Sequence, residues 1–373
     1  MVVFDKAQAG DAQAQYDLGY SYLHGQGVRK DSTKARQWLE KAAAQGHERA
    51  AFLLDTLEPT TATSAPTPAP AAAPSSQPAE ELYQEALRCE DPFKAAQLLL
   101  LAAKQGHAEA QLTLGFCYYY GHGMLQSFTE AAKWLKLAAD QGNVYAQNIL
   151  GACYENGQGV PQSYTEAVKW YKLAANQGLA MAQDNLGLCY HEGEGVPQNY
   201  EEAVKWFKLS TDQGYAPAQH NLGVCYQNGL GVSQSYEEAV KWFKLSADQG
   251  YALAQNNFGV CYQNGLGVSQ SHEEAVKWFK LSADQGYALA QNNLGVCYAN
   301  GLGVPRNYEE AVKWLKLAAD QGLADAQYLL GLFYIEGEGV RKNQAEGVRL
   351  LQQAHENGNS EAAEALKKLG EEP

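Results

Sequence analysis

Residues Tyr251 to Gly286 read YALAQNNFGVCYQNGLGVSQSHEEAVKWFKLSADQG, and Ala216 to Gly250 carries nearly the same sequence one 36-residue step earlier. The step returns in register from Ala108 to Asn359. Gly115, Gly151, Gly187, Gly223, Gly259, Gly295 and Gly331 keep it; so do Tyr118, Tyr154, Tyr190, Tyr226, Tyr262, Tyr298 and Tyr334, and Trp134, Trp170, Trp206, Trp242, Trp278 and Trp314. Three rulers in one phase identify an internal repeat. A repeat of this length predicts stacked helical hairpins, each touching only its neighbours.

Each unit reads as two helices. In the first, Ala254, Phe258, Cys261 and Tyr262 recur at helical spacing, Gly259 leaves room for a partner helix, and Gly265 stands where a C-cap is needed. The second opens on a capping box, Ser235 with Glu238, Ser271 with Glu274, Ser163 with Glu166, or Asn199 with Glu202. It carries Ala275, Val276, Trp278, Phe279 and Leu281 on an apolar face and stops at Asp284 to Gly286. Alone, such a hairpin leaves its apolar faces wet; stacking covers them.

The predicted organisation is a short block over residues 1–57, a linker over 58–80, a degenerate unit over 81–107, seven regular units over 108–359, and a capping helix with tail over 360–373. The linker tract, PTTATSAPTPAPAAAPSSQPAE, has no periodic pattern and is expected to be extended and disordered. The short block holds one full unit and a fragment. It buries little, so it is expected to be marginal alone or to dock on the long array.

A net charge of −14 and the lack of a basic stripe argue against nucleic acid or an anionic membrane as partner. The start of the chain lacks a signal-peptide pattern and no apolar run is long enough to span a bilayer, which predicts a cytoplasmic protein; a monomer is expected. Six of the seven cysteines, Cys117, Cys153, Cys189, Cys225, Cys261 and Cys297, fall one repeat apart. Packed helices roughly 8–10 Å apart exceed the roughly 7 Å reach of a disulfide, so these read as buried free thiols, suited to a reducing compartment.

The blocks AQYDLGYSYLHGQGVRKDSTKARQWLEKAAAQG (Ala14 to Gly46) and AQNNLGVCYANGLGVPRNYEEAVKWLKLAADQG (Ala290 to Gly322) resemble the SEL-1-like repeat, a relative of the tetratricopeptide repeat. The resemblance covers nearly everything outside the linker. It implies an all-α solenoid, a right-handed superhelix of α/α hairpins whose members act as scaffolds joining proteins into complexes. Cysteine-rich secreted members, some described as penicillin-binding or β-lactamase-like, carry two cysteines per unit where this chain has one. That departure weakens a cell-wall or β-lactamase-like hydrolase as the alternative; a structural spacer is the other.

Alignment with the tetratricopeptide pattern assigns the first helices to a concave groove and the second helices to the outside. No Lys or Arg occurs in the first helices of the regular units, whereas Lys133, Lys169, Lys205, Lys241, Lys277 and Lys313 recur in the second. The predicted groove residues are Asn148, Asp184, Asn185, His220, Asn221, Asn256, Asn257, Asn292, Asn293, Gln227, Gln263 and Asn264, with Tyr119, Tyr120, Tyr145, Leu253 and Leu289 adding apolar contact. An amide both donates and accepts, so such a ladder suits the backbone of an extended peptide or a partner protein.

Other signals lack their chemical context. The Gly-x-Gly turns follow helices and have no Lys-Ser/Thr pair, so no phosphate loop is predicted. The eight histidines are dispersed and show no metal-ligand spacing. The glutamate pairs open helices, where carboxylates suit the dipole. The expectation is a non-catalytic interaction scaffold with no cofactor and no metal.

Overall fold

A computed structural model describes residues 2–56 and 77–372, and the regular structure of these residues is helical throughout, with no strand. The fold is an all-α repeat solenoid. Most of the tract expected to be a linker lies outside the described residues; its end is already helical from Ala79.

Two compact units divide the chain, Met1–Gln177 and Gly178–Pro373. The first contains α1 (Val2–Gln8), α2 (Ala12–His24), α3 (Ser32–Ala44), α4 (Glu48–Thr56), α5 (Ala79–Arg88), α6 (Pro92–Lys104), α7 (Ala108–Tyr120), α8 (Phe128–Asp140), α9 (Val144–Asn156) and α10 (Tyr164–Asn176). The second contains α11 (Ala180–Glu192), α12 (Tyr200–Thr211), α13 (Ala216–Asn228), α14 (Tyr236–Asp248), α15 (Ala252–Asn264), α16 (His272–Asp284), α17 (Ala288–Asn300), α18 (Tyr308–Asp320), α19 (Ala324–Glu336), α20 (Gln344–Glu356) and α21 (Ser360–Leu369). Within each unit the helices pack on their sequence neighbours, first on second within a hairpin and second on the next first, except between α4 and α5.

Two glycines per repeat do different jobs. The helical Gly259 lies against the partner helix of its own hairpin; a Cβ there would sit 2.7 Å from the Phe279 ring. Gly267, at φ +68°, lies against the preceding hairpin, where a Cβ would fall 2.3 Å from the Tyr236 carbonyl oxygen. Gly231, Gly303 and Gly339 repeat that contact on Tyr200, His272 and Tyr308. The second glycine of the turn is therefore the point at which one hairpin rests on the last.

The capping box forms by half. Ser271 Oγ accepts from the Glu274 amide, but the Ser271 amide donates to the carbonyl of Tyr262 at the end of the first helix. Its carboxylate partner is thereby released, and Glu274 pairs with Lys277 on the outer surface; Glu130, Glu166, Glu202, Glu238 and Glu310 pair with their lysines in the same way.

Packing revises the predicted apolar face. Ala275, Val276 and Phe279 are buried, and Trp278 is half-buried against Phe258. Leu281 instead stands 49% exposed, and Leu209, Leu245 and Leu317 share its position and exposure. Helical phase alone places Leu281 on the apolar face; the neighbouring first helix does not reach it.

The short block docks within its unit. Phe52 on α4 meets Phe93 on α6 edge-on at 5.0 Å, and the Arg49 guanidinium pairs with Asp91 at 3.2 Å. Sequence periodicity gave no sign of α1, whose Phe4 meets Trp38 and whose Ala7 is buried.

Candidate functional site

The first helices carry the residues predicted to line a groove, and the structure sorts them into layers. Asn148, Asp184, His220 and Asn256, expected to face the groove, are buried to 4–8% exposure. Asn185, Asn221, Asn257, Asn292 and Asn293 are half-buried beside the same row, Gln227 and Gln263 are half-buried near the helix ends, and Asn264 is exposed. The phase argument found the correct side of the helix and misjudged depth, because an adjacent first helix covers the inner row.

In the second unit the inner row forms one directed chain of hydrogen bonds across four first helices. Asn293 Nδ2 on α17 donates to Asn256 Oδ1 on α15 at 3.0 Å, and Asn256 Nδ2 donates to Asn257 Oδ1 at 3.3 Å. Asn257 Nδ2 donates to His220 Nε2 on α13 at 3.0 Å. That bond leaves the imidazole proton on Nδ1, which donates to Asn221 Oδ1 at 3.2 Å; Asn221 Nδ2 then donates to Asp184 Oδ1 on α11 at 2.9 Å. Every donor points toward the carboxylate.

Burial sets the charge states along the chain. It pushes the Asp184 carboxyl up to about 6, against the bond from Asn221, which favours the ionised form. It pushes His220 below the ordinary imidazole value, opposed by its Asn221 bond, and the ring is enclosed by Phe243 and Tyr251. At the other end the chain stops for lack of a donor. Asn292 Oδ1 is buried without a partner, and the equivalent place on α19 is occupied by Leu329.

A second polar row was not anticipated. Gln255 is buried; its Nε2 donates to the Ala247 carbonyl of the preceding hairpin at 3.2 Å, and its Oε1 accepts from Gln285 Nε2 at the end of its own hairpin at 2.8 Å. Gln111, Gln147, Gln291 and Gln327 make the same two contacts, Asn357 replacing the glutamine partner of Gln327. The signal was in the sequence: Gln111, Gln147, Gln183, Gln219, Gln255, Gln291 and Gln327 recur one repeat apart, each after an alanine, and another Gln precedes each inter-repeat glycine from Gly106 to Gly322.

What remains for a partner on this face is narrower than the predicted list. The side chains of Gln227 and Gln263 make no hydrogen bond within the described residues. Tyr120, Tyr145 and Leu289, predicted as apolar contacts, are exposed, whereas Tyr119 is half-buried and donates its hydroxyl to Gln158. Among the described residues no three His, Cys, Asp or Glu side chains are grouped to hold a metal ion, and no helix is long and apolar enough to cross a membrane. None of the seven cysteines is in a disulfide; burial pushes the Cys117, Cys153, Cys261 and Cys297 thiols up to about 11 and Cys225 to about 12.

Comparison with known proteins follows the same repeat boundaries. A Sel1 repeat protein from Oxalobacter formigenes is 34% identical, with a TM-score of 0.64 over 78% of this chain and 87% of that one. A protective antigen of uropathogenic Escherichia coli strains with an SLR fold is 29% identical, with a TM-score of 0.53 over 98% of this chain and 81% of that one. An uncharacterized Neisseria meningitidis serogroup B protein is 32% identical over 114 residues, so the match spans 29% of this chain and about a quarter (24%) of that relative. The Sel1 repeat profile matches residues 12–47, 80–107, 108–143, 144–179, 180–215, 216–251, 252–287, 288–323 and 324–359, and the chain belongs to the Sel1 repeat family.

Proposed function

We propose that the protein is a non-catalytic scaffold that holds a partner protein, or an extended segment of one, against the face of its first helices. Sel1 and tetratricopeptide-like repeats serve generally as protein-interaction scaffolds. The observation that carries the reading for this chain is the division of the polar face. The inner amides and Asp184 bond to one another, whereas Gln227 and Gln263 stand one repeat apart with side-chain donors and acceptors unused by the fold.

A glutamine amide both donates and accepts, matching the alternating groups of an extended backbone. On this reading Gln227, Gln263 and Asn264 make the contacts. Asn185, Asn221, Asn257, Asn292 and Asn293 form the floor, and Asp184, His220 and Asn256 hold the helices beneath it; Asn148 has the equivalent supporting role in the first unit.

The test is capture by the immobilised full chain, comparing wild type with Gln227→Arg/Gln263→Arg/Asn264→Arg. These positions are half-buried or exposed, so helicity should be unchanged. Partners lost only from the variant support the reading, and an identical captured set refutes it.

A further inference from the structure

The last hairpin breaks the polar pattern of the first-helix face. Where α15 carries Asn256, Asn257, Val260 and Gln263, α19 carries Tyr328, Leu329, Leu332 and Ile335. The amide chain cannot continue through these residues. The surface becomes apolar at the place where the capping helix α21 packs.

Between α19 and α21 lies an open cleft of about 410 Å³. Its floor is Leu332, Ile335, Ala365 and Leu369, all half-buried and packed on the terminal core of Leu351, Ala354, Ala362 and Leu366. Its rim is Glu336, Glu361, Glu364 and Lys368, all exposed. Tyr328 is hydrogen-bonded to Glu361, and burial together with the charges of Glu361 and Glu364 raises its phenol above the usual value. Three carboxylates against one ammonium leave the rim net negative around an apolar floor.

We propose that this cleft is a docking site for a basic segment of a partner protein, which seats an apolar side chain on Leu332 and Ile335 and sets flanking Lys or Arg against Glu336 and Glu364. Charge complementarity selects the occupant. An acidic or neutral segment would leave the carboxylates unanswered, and a purely cationic one would leave the floor wet. The site is independent of the Gln227 and Gln263 row, since it uses different helices and ionic rather than amide contacts.

The experiment titrates full-length protein into a fluorescein-labelled short peptide of lysines around a central leucine, at near-physiological salt, and reads anisotropy. Glu336→Lys/Glu364→Lys should weaken binding about tenfold or more, and Ile335→Gln, which leaves the charge alone, several-fold. Replacing the peptide leucine by glycine should weaken binding to wild type several-fold. A chain of charge −14 attracts any polycation diffusely, so Glu201→Lys/Glu309→Lys on the second helices supplies the same charge change elsewhere and should leave affinity nearly unaltered. Gln227→Arg/Gln263→Arg should do the same, which separates this site from the peptide face. Absence of binding to wild type, equal weakening by Glu201→Lys/Glu309→Lys, or indifference to both the peptide leucine and Ile335→Gln would overturn the proposal.

Discussion

Asp184→Asn should stabilise this protein at neutral pH and do nothing in acid. The carboxyl is buried at the acceptor end of the hydrogen-bond chain, and its value in the fold is about 6 against an ordinary 3.8. A folded value raised above the unfolded one means that the fold binds the proton more tightly. The Asp184 contribution is therefore fully present below about pH 4 and is lost as pH rises toward 6 and beyond. The gap of about two units corresponds to about 3 kcal/mol lost by pH 8.

Asparagine occupies the same position as Asn148 and Asn256 in other repeats, and its Oδ1 still accepts from Asn221 without a charge. Urea denaturation followed by circular dichroism, on wild type and variant at pH 4, 6 and 8, reads the difference directly. His220 is present in both proteins, so its titration largely cancels. A gap growing from near zero at pH 4 to about 3 kcal/mol at pH 8 is the expected result. A gap independent of pH, or a variant less stable at pH 8, refutes the assignment of a destabilising buried charge.

His220 has the opposite sign. Its value is held below the ordinary imidazole, so its stabilising contribution is present above that range and lost on acidification through it; His220→Asn should lessen the fall in stability as pH drops below the ordinary imidazole value of 6.5. Gly267→Ala and Gly27→Ala both place alanine at positive φ, but a Cβ at Gly27 meets nothing within 4 Å whereas one at Gly267 meets the Tyr236 carbonyl. Gly27→Ala should cost about 1–2 kcal/mol in a thermal melt and Gly267→Ala clearly more, and equal losses would contradict the role given to the second turn glycine. Alkylation of native protein at pH 8, located by mass spectrometry, should label Cys89 first and Cys153, Cys225, Cys261 and Cys297 slowly, because burial holds those thiols protonated.

The hairpin architecture was legible because Gly259, Tyr262 and Trp278 recur at a fixed step and helix stops follow the same step. Depth was less legible. Periodicity gives the direction of a side chain from its own helix, but Asn256 is buried and Leu281 exposed according to where the next helix lies. The Glu274 half of the capping box failed for a similar reason, since the Ser271 amide found a carbonyl on another helix. Gly267 was recognised as a turn residue; its contact with Tyr236 depends on stacking, which no single hairpin encodes.

The buried Gln255 bears on how such a chain grows. It donates backward to Ala247 and accepts from Gln285 ahead, so each hairpin carries one donor for its predecessor and one acceptor that it fills itself. Inserting or removing a whole unit leaves that arithmetic closed and strands no buried amide, whereas a cut elsewhere in the step separates a glutamine from its partner. Ala216–Gly250 and Ala252–Gly286, nearly identical and adjacent, are what lengthening by whole units would produce.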